Sequence, residues 1–173
     1  HYHSKLMMKD ARTGGAHLWH QDFGYWVNNG CVFPDMGTCF IPIDKMDAEN
    51  AGLRVVRGSH RMGLLQHHTA GTQAEVDQTR LGYATQLLET VQLEMDPGDA
   101  CFFHSLTLHC SGQNRSERRR YCFLVAFNRV DNDPLIEHHH PKYTPLADAR
   151  DDAILDPNTP LVDDAGKDLS LIH

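Results

Sequence analysis

The sequence predicts an all-β core, a sandwich or double-sheet jelly roll, and three observations carry that prediction. About seven apolar or alternating runs, each of roughly four to eight residues, recur along the chain, as half-buried strands do. Clusters of Gly, Pro, Asn and Asp separate them and supply the backbone conformations that tight turns need. One stretch of about thirty residues breaks the pattern, being polar and without alternation, and reads as a helical insertion on the β framework rather than a second domain. The chain has 173 residues, 40% of them hydrophobic, which is enough for one real core, and no shift of composition marks a second domain.

Taken in order, Lys5-Leu6-Met7-Met8-Lys9 is the first strand, followed by the loop Asp10 to Ala16 with Gly14-Gly15 as its breaker. His17 to Trp26 reads as an aromatic-rich strand, after which Asn28-Asn29-Gly30 and Phe33-Pro34-Asp35 are turn chemistry. Thr38 to Asp44 is apolar enough for a buried strand, and Pro42 points to a bulge or an edge because it removes a ladder donor. Leu53-Arg54-Val55-Val56 is a short strand between the turn at Asp47 to Gly52 and Gly58-Ser59-His60. The insertion carries a helix over residues 74–90, where Val76, Leu81, Ala84, Leu87 and Leu88 approximate one apolar stripe. Strands resume at Val91 to Met95, cross the turn Asp96-Pro97-Gly98-Asp99 into Ala100 to Phe103, continue through Leu106 to Cys110, and end with the hydrophobic run Tyr121 to Phe127. From residue 134 the composition turns to Pro, Asp, His and Ala, and 134–173 reads as an irregular C-terminal tail.

The formal charge of −7 argues against nucleic-acid binding as the main activity, since that needs a basic footprint. No apolar run approaches the roughly 20 residues that cross a bilayer, and no charged-then-apolar leader opens the chain, so the expectation is a cytoplasmic protein without a membrane partner. Five cysteines, odd in number and without Cys-x-x-Cys spacing, read as reduced structural thiols. The chain opens at His1 rather than at a methionine, which suits a piece of a longer protein. Nothing indicates the oligomeric state.

Chemistry concentrates in two places. In Trp19-His20-Gln21-Asp22, a histidine and an aspartate two residues apart would project to one side of an extended backbone, where both can reach one ion. The third ligand is expected from His109, giving two imidazoles and one carboxylate on one face of a metal, the donor set of non-haem Fe(II) oxygenases. Singly, His20 and Asp22 could be a surface ion pair and His109 a satisfied core histidine; jointly they make a site. His104 is discounted as a ligand because five residues along a continuous strand would turn it from His109's face, Cys110 is expected to face away from the metal, and His67-His68 has no partner spacing.

With His109 to Asn114 and Arg120 added to Trp19-His20-Gln21-Asp22, Asn50-Ala51-Gly52-Leu53, Arg57-Gly58-Ser59-His60-Arg61, Pro97-Gly98-Asp99 and Phe102-Phe103-His104, the sequence resembles the phytanoyl-CoA dioxygenase family of Fe(II)- and 2-oxoglutarate-dependent oxygenases. The resemblance implies a double-stranded β-helix, the cupin-like jelly roll, over residues 1–133, lacking part of its N-terminal region. It implies His20, Asp22 and His109 as iron ligands, with Fe(II) as cofactor and 2-oxoglutarate as co-substrate. The family places an arginine eleven residues after the distal histidine, here Arg120, where a guanidinium can grip the far carboxylate of 2-oxoglutarate with two parallel hydrogen bonds. Arg118 shares that face if the strand begins early, and Arg119 points away. Phe40 and Ser111 stand where family members place an aromatic ring and a hydroxyl against 2-oxoglutarate; core packing and a turn-stabilising serine are the competing roles. Lys5 and Lys9 flank a strand near the motif, where they could line the pocket, and are expected instead to be solvated.

The activity implied is hydroxylation of a C–H bond in a small-molecule or acyl substrate, with O2 consumed, and Asp22 favours hydroxylation over the halogenation of relatives that lack the carboxylate. An acyl-CoA substrate would require basic residues at the mouth, for which Arg54, Arg57 and Arg61 are the candidates. Two alternatives stand beside it: a catalytically silent jelly-roll module that binds metal and 2-oxoglutarate, and a zinc hydrolase, which also suits two histidines and an aspartate but leaves Arg120 unexplained.

Overall fold

Alternation and turn chemistry produce a mostly β-sheet fold in the computed structural model, which describes residues 1–137 together with Leu146, Asp152 and Leu155. The tail expected over 134–173, including His138-His139-His140, therefore lies largely outside the described residues. One four-stranded antiparallel sheet has the order β1 (His3–Lys9), β10 (Arg120–Phe127), β3 (Gly37–Pro42), β8 (Cys101–His104). A second has the order β2 (His17–His20), β9 (His109–Ser111), β4 (Leu53–Val56), β7 (Thr90–Gln92). A separate hairpin joins β5 (His67–Ala70) to β6 (Gln73–Val76).

Side chains from both sheets meet in one apolar cluster: Phe40 and Cys122 from the first, Leu53 from the second, with Met46 and Met95 between the strands. Removing such side chains from water stabilises by about 1.5–3 kcal/mol each. Met46 and Met95 also pair through their backbones, clamping the segments that lead into β4 and out of β7. Pro42 is neither at a sheet edge nor in a bulge: β3 lies inside its sheet, and Pro42 is its last residue, opposite Cys122 but past the end of the pairing with β8 at Phe40.

The insertion is part hairpin and part helix. Gln73–Val76 pairs with His67–Ala70 around Gly71, whose φ of +64° suits a residue without Cβ. Helix α2 therefore covers Gln78–Leu87 rather than the whole of 74–90. Asp77 starts it by accepting the Arg80 backbone N–H at 2.9 Å, a cap worth about 1 kcal/mol. Leu81 and Ala84 bury against Val56 and Leu108, whereas Leu87 is 81% exposed, because Leu88 leaves the helix in extended backbone and the stripe ends there. All five cysteines are unpaired, as their spacing suggested. No helix among the described residues is long and apolar enough to cross a membrane.

The strand expected over His17 to Trp26 is the main correction. β2 stops at His20, and Asp22 has φ −56° and ψ −39° at the head of the single-turn helix α1 (Phe23–Trp26). The chain turns because distant groups take its backbone donors: the Gln21 N–H donates to His67 Nε2 at 3.0 Å and the Phe23 N–H to the Ser105 carbonyl at 3.0 Å.

Candidate metal centre

His20 and His109 face each other as cross-strand partners on β2 and β9, with ring centroids 4.2 Å apart. Each Nδ1 lies against the carbonyl two residues back, that of Leu18 at 2.7 Å and of Thr107 at 2.9 Å. A carbonyl can only accept, so each Nδ1 carries the proton and each Nε2 offers a lone pair, the form in which an imidazole binds a metal. Both Nε2 atoms stand 3.6 Å from Asp22 Oδ1. The Thr38 hydroxyl donates to Asp22 Oδ2 at 2.6 Å, which leaves Oδ1 for the centre. The turn at Gln21 thus achieves the convergence that an unbroken strand was expected to provide.

Burial works against the Asp22 carboxylate, but His109, His20 and Thr38 outweigh it and hold its pKa below the usual carboxylate range. Burial, reinforced by His20, pushes His109 down to about 4, so its ring is neutral at physiological pH. One donor atom from each residue lies within 4.8 Å of the others. Donors about 2.1 Å from an ion and at right angles stand about 3 Å apart, so a 3.6 Å spacing needs only a small inward movement to fit an ion. His20, Asp22 and His109 could therefore hold a metal.

Gln21 locks this arrangement. Wholly buried, it donates through Nε2 to the Gly63 carbonyl at 2.9 Å and the Leu106 carbonyl at 2.8 Å, and its Oε1 accepts the Leu65 N–H at 2.8 Å. His67 completes the brace: its Nδ1 donates to the Leu65 carbonyl, which makes Nε2 the acceptor for the Gln21 N–H. A Cβ on Gly24 would lie 2.6 Å from the His67 ring, so only glycine admits the imidazole there.

An inner cavity of about 40 Å³ runs from the three ligands to Arg120, with Phe40 and Ser111 on its wall. Arg120 is 2% exposed, with Nη1 donating to Cys122 Sγ at 3.3 Å, its Nε without a hydrogen-bond partner among the described residues, and the Phe40 ring 5.9 Å away. Burial lowers its pKa, and it forms no ion pair with a carboxylate among the described residues. Such a buried, unsatisfied guanidinium fits an anionic guest. Its neighbours in sequence are taken by the surface: Arg118 pairs with Asp47 and Glu49, and Arg119 pairs with Asp44 over the Tyr121 ring. An outer cavity of about 740 Å³ opens from His20 and Asp22 past Tyr25 and Trp26.

Other expectations divide. His104 lies on β8 of the other sheet, 5.7 Å from the His60 ring and away from the centre. Cys110 accepts a hydrogen bond from Arg54 at 3.3 Å. None of Arg54, Arg57 and Arg61 lines either cavity, Arg54 stacking on Trp19 and Arg57 pairing with Glu89. Lys9, expected to be solvated, is 2% exposed: its ammonium donates to the Ser111 and Gly112 carbonyls, and burial beside Arg120 lowers its pKa to about 8. Gln21, Thr38 and His17 were not singled out from sequence, and His67 was discounted for want of partner spacing. Only Gln21, lying between two candidate ligands, carried a local signal.

A mostly antiparallel fold in which two imidazoles and a carboxylate converge has the donor set of non-haem iron oxygenases. The chain belongs to the phytanoyl-CoA dioxygenase (PhyH) family, whose model matches residues 1–122. It is 31% identical over 166 residues to the L-proline trans-4-hydroxylase of Streptomyces griseoviridis, covering 87% of this chain and 60% of the relative. It is 29% identical over 134 residues to a probable phytanoyl-CoA dioxygenase of Caenorhabditis elegans, covering 75% and 42% respectively. EctD from S. alaskensis, in a crystal structure with 2-oxoglutarate and 5-hydroxyectoine, superimposes with a TM-score of 0.68 at 25% identity, over 77% of this chain and 45% of that one. Another structure of EctD has bound Fe. The chain spans 60% or less of the length of these relatives. None of the three lends support to a zinc hydrolase.

Proposed function

We propose that this chain carries the catalytic core of an Fe(II)- and 2-oxoglutarate-dependent dioxygenase that hydroxylates a C–H bond of a small molecule, on a double-stranded β-helix over residues 1–133. The observation that carries this is the pairing, in one cavity, of the converging donors of His20, Asp22 and His109 with the unsatisfied Arg120 guanidinium. Iron with 2-oxoglutarate and O2, when bound, supplies the oxidising power that replaces C–H by C–OH, with release of succinate and CO2. The residues do the rest. His20, Asp22 and His109 would hold the ion with two imidazole nitrogens and one carboxylate oxygen. Arg120 neutralises the far carboxylate of the co-substrate in a dry pocket, Phe40 walls its carbon chain and Ser111 offers a hydroxyl. Thr38 keeps one Asp22 oxygen occupied so that the carboxylate presents a single donor.

The name of the Streptomyces relative makes L-proline a first compound to test. Anaerobic addition of Fe(II) and 2-oxoglutarate should produce a visible charge-transfer band that Asp22→Ala abolishes, and O2 uptake should accompany succinate formation. Unchanged iron affinity in Asp22→Ala, with no band in the parent, would refute the proposal.

A further inference from the structure

Antiparallel strands with one face in water alternate apolar and polar residues, and the first sheet departs from that rule. Its inner face carries Phe40, Cys122 and Arg120. The outer face is apolar as well. The pairing register aligns Leu6, Phe123 and Ile41 in one row across the strands and Val125, Cys39 and Phe102 in the next, with Met8 and Ile43 flanking Tyr121 beyond the first row. Phe102 is 72% exposed, Met8 61%, Leu6 48%, Ile43 44% and Phe123 38%. Alternation leaves Ser4, Tyr121, Phe127, Gly37 and His104 as the other outward positions of the four strands, so no Asp, Glu, Lys or Arg projects from this face. The second sheet is finished differently: Leu81 and Ala84 of α2 pack over Val56, and the exposed Arg54 beside it carries charge.

At about 200 Å² for a large side chain, the five exposures leave about 500 Å² open, and the half-buried Ile41, Val125 and Phe127 bring the patch to about 600–700 Å². The largest apolar patch on a typical monomer is about 300–600 Å². Two such faces laid together would bury about 1,200–1,400 Å², which lies inside the range of about 1,200–2,000 Å² for stable interfaces. The charge pattern selects the occupant. The chain carries a formal charge of −7, yet this face is neutral, so a second copy can cover it without burying an unpaired charge and with the mutually repelling acids kept to the rim. A two-fold axis makes a sheet face its own complement, and two sheets then stack about 10 Å apart as they do in a sandwich.

We infer that the outer face of the β1–β10–β3–β8 sheet docks a second copy of this chain, forming a two-fold dimer with Phe123 and Phe102 in the contact. The inference goes beyond the oxygenase proposal and does not depend on it, since it uses the opposite face of the sheet from Phe40 and Arg120.

Sedimentation equilibrium of the 173-residue chain tests it. At about 50 µM the parent should sediment at twice the 19.6 kDa of one chain and dissociate on dilution. Phe102→Lys combined with Phe123→Lys should give a monomer with an unchanged circular-dichroism spectrum. Leu87→Lys places the same charge on the exposed side of α2, away from this sheet, and should leave the dimer intact. If the double variant does not fold, a photoreactive benzophenone side chain at Phe102 decides: irradiation should join two copies, with the linked peptide drawn from β1, β10, β3 or β8. A monomeric parent, a folded double variant that still dimerises, or a cross-link into the second sheet would each overturn the inference. So would dissociation by Leu87→Lys as complete as that by the double variant. Assembly that continues past two copies would also overturn it, because a two-fold contact closes on itself. A monomeric parent that floats with neutral phosphatidylcholine vesicles would assign the face to a lipid surface instead.

Discussion

Gln21→Met removes the polar centre of the Gln21 lock while nearly conserving its volume, so it separates hydrogen bonding from packing. Three groups lose their partner: the Leu65 N–H and the carbonyls of Gly63 and Leu106. A stranded buried group costs about 1–3 kcal/mol, with the Gly63 end, partly open to water, at the low limit. Burying the apolar thioether returns about 1 kcal/mol relative to the amide. The expected loss is about 2–6 kcal/mol, which lowers the melting temperature by roughly 4–24 °C in a chain of this size. Urea denaturation followed by circular dichroism measures the stability, and metal titration of the folded variant measures the site. Affinity should fall at least tenfold, because Gln21 separates two ligands and its Leu106 bond ties them to the segment leading into His109. A loss below about 1 kcal/mol, or unchanged metal affinity, would refute the view that this side chain holds the turn.

Arg120→Lys keeps the charge but loses the planar fork, and calorimetry should show 2-oxoglutarate binding at least tenfold more weakly. Gly24→Ala drives a Cβ into the His67 ring and should cost about 1–3 kcal/mol in urea unfolding, with metal affinity falling alongside; His67→Ala in the same chain should restore part of the stability by removing the clash. Thr38→Val frees Asp22 Oδ2, and a metal titration should show affinity reduced about tenfold at nearly unchanged stability. Chelation of the metal should leave the far-ultraviolet spectrum intact, since the ligand rings are already held by the backbone, while re-addition of Fe(II) under anaerobic conditions should raise the melting temperature.

What could be read from sequence follows from how local each cause is. His20, Asp22, His109 and Arg120 declare themselves because their order along the chain is a pattern of residue types, and the structure brings all four to one cavity. The turn at Gln21 does not, because its causes are His67 and Ser105, remote in sequence. Lys9 misleads for the same reason: a lysine in a half-exposed strand is usually solvated, and only the carbonyls of Ser111 and Gly112 make burial tolerable. The β5–β6 hairpin hid in polar sequence with little apolar alternation, although Gly71 at its turn was a usable sign. The end of α2 was overrun because Leu87 continues the helical period but points to solvent.

The backbone latch on His20 and His109 bears on how this centre tolerates change over generations. Where an aspartate or serine side chain orients a ligand imidazole, one substitution can misdirect it. Here the acceptors are the main-chain oxygens of Leu18 and Thr107, present whatever residue occupies those positions. No exchange of side chain deletes them, and only an insertion or deletion that shifts β2 or β9 breaks the alignment. Side chains on the walls of the cavity can therefore change without altering what orients the two ligand rings.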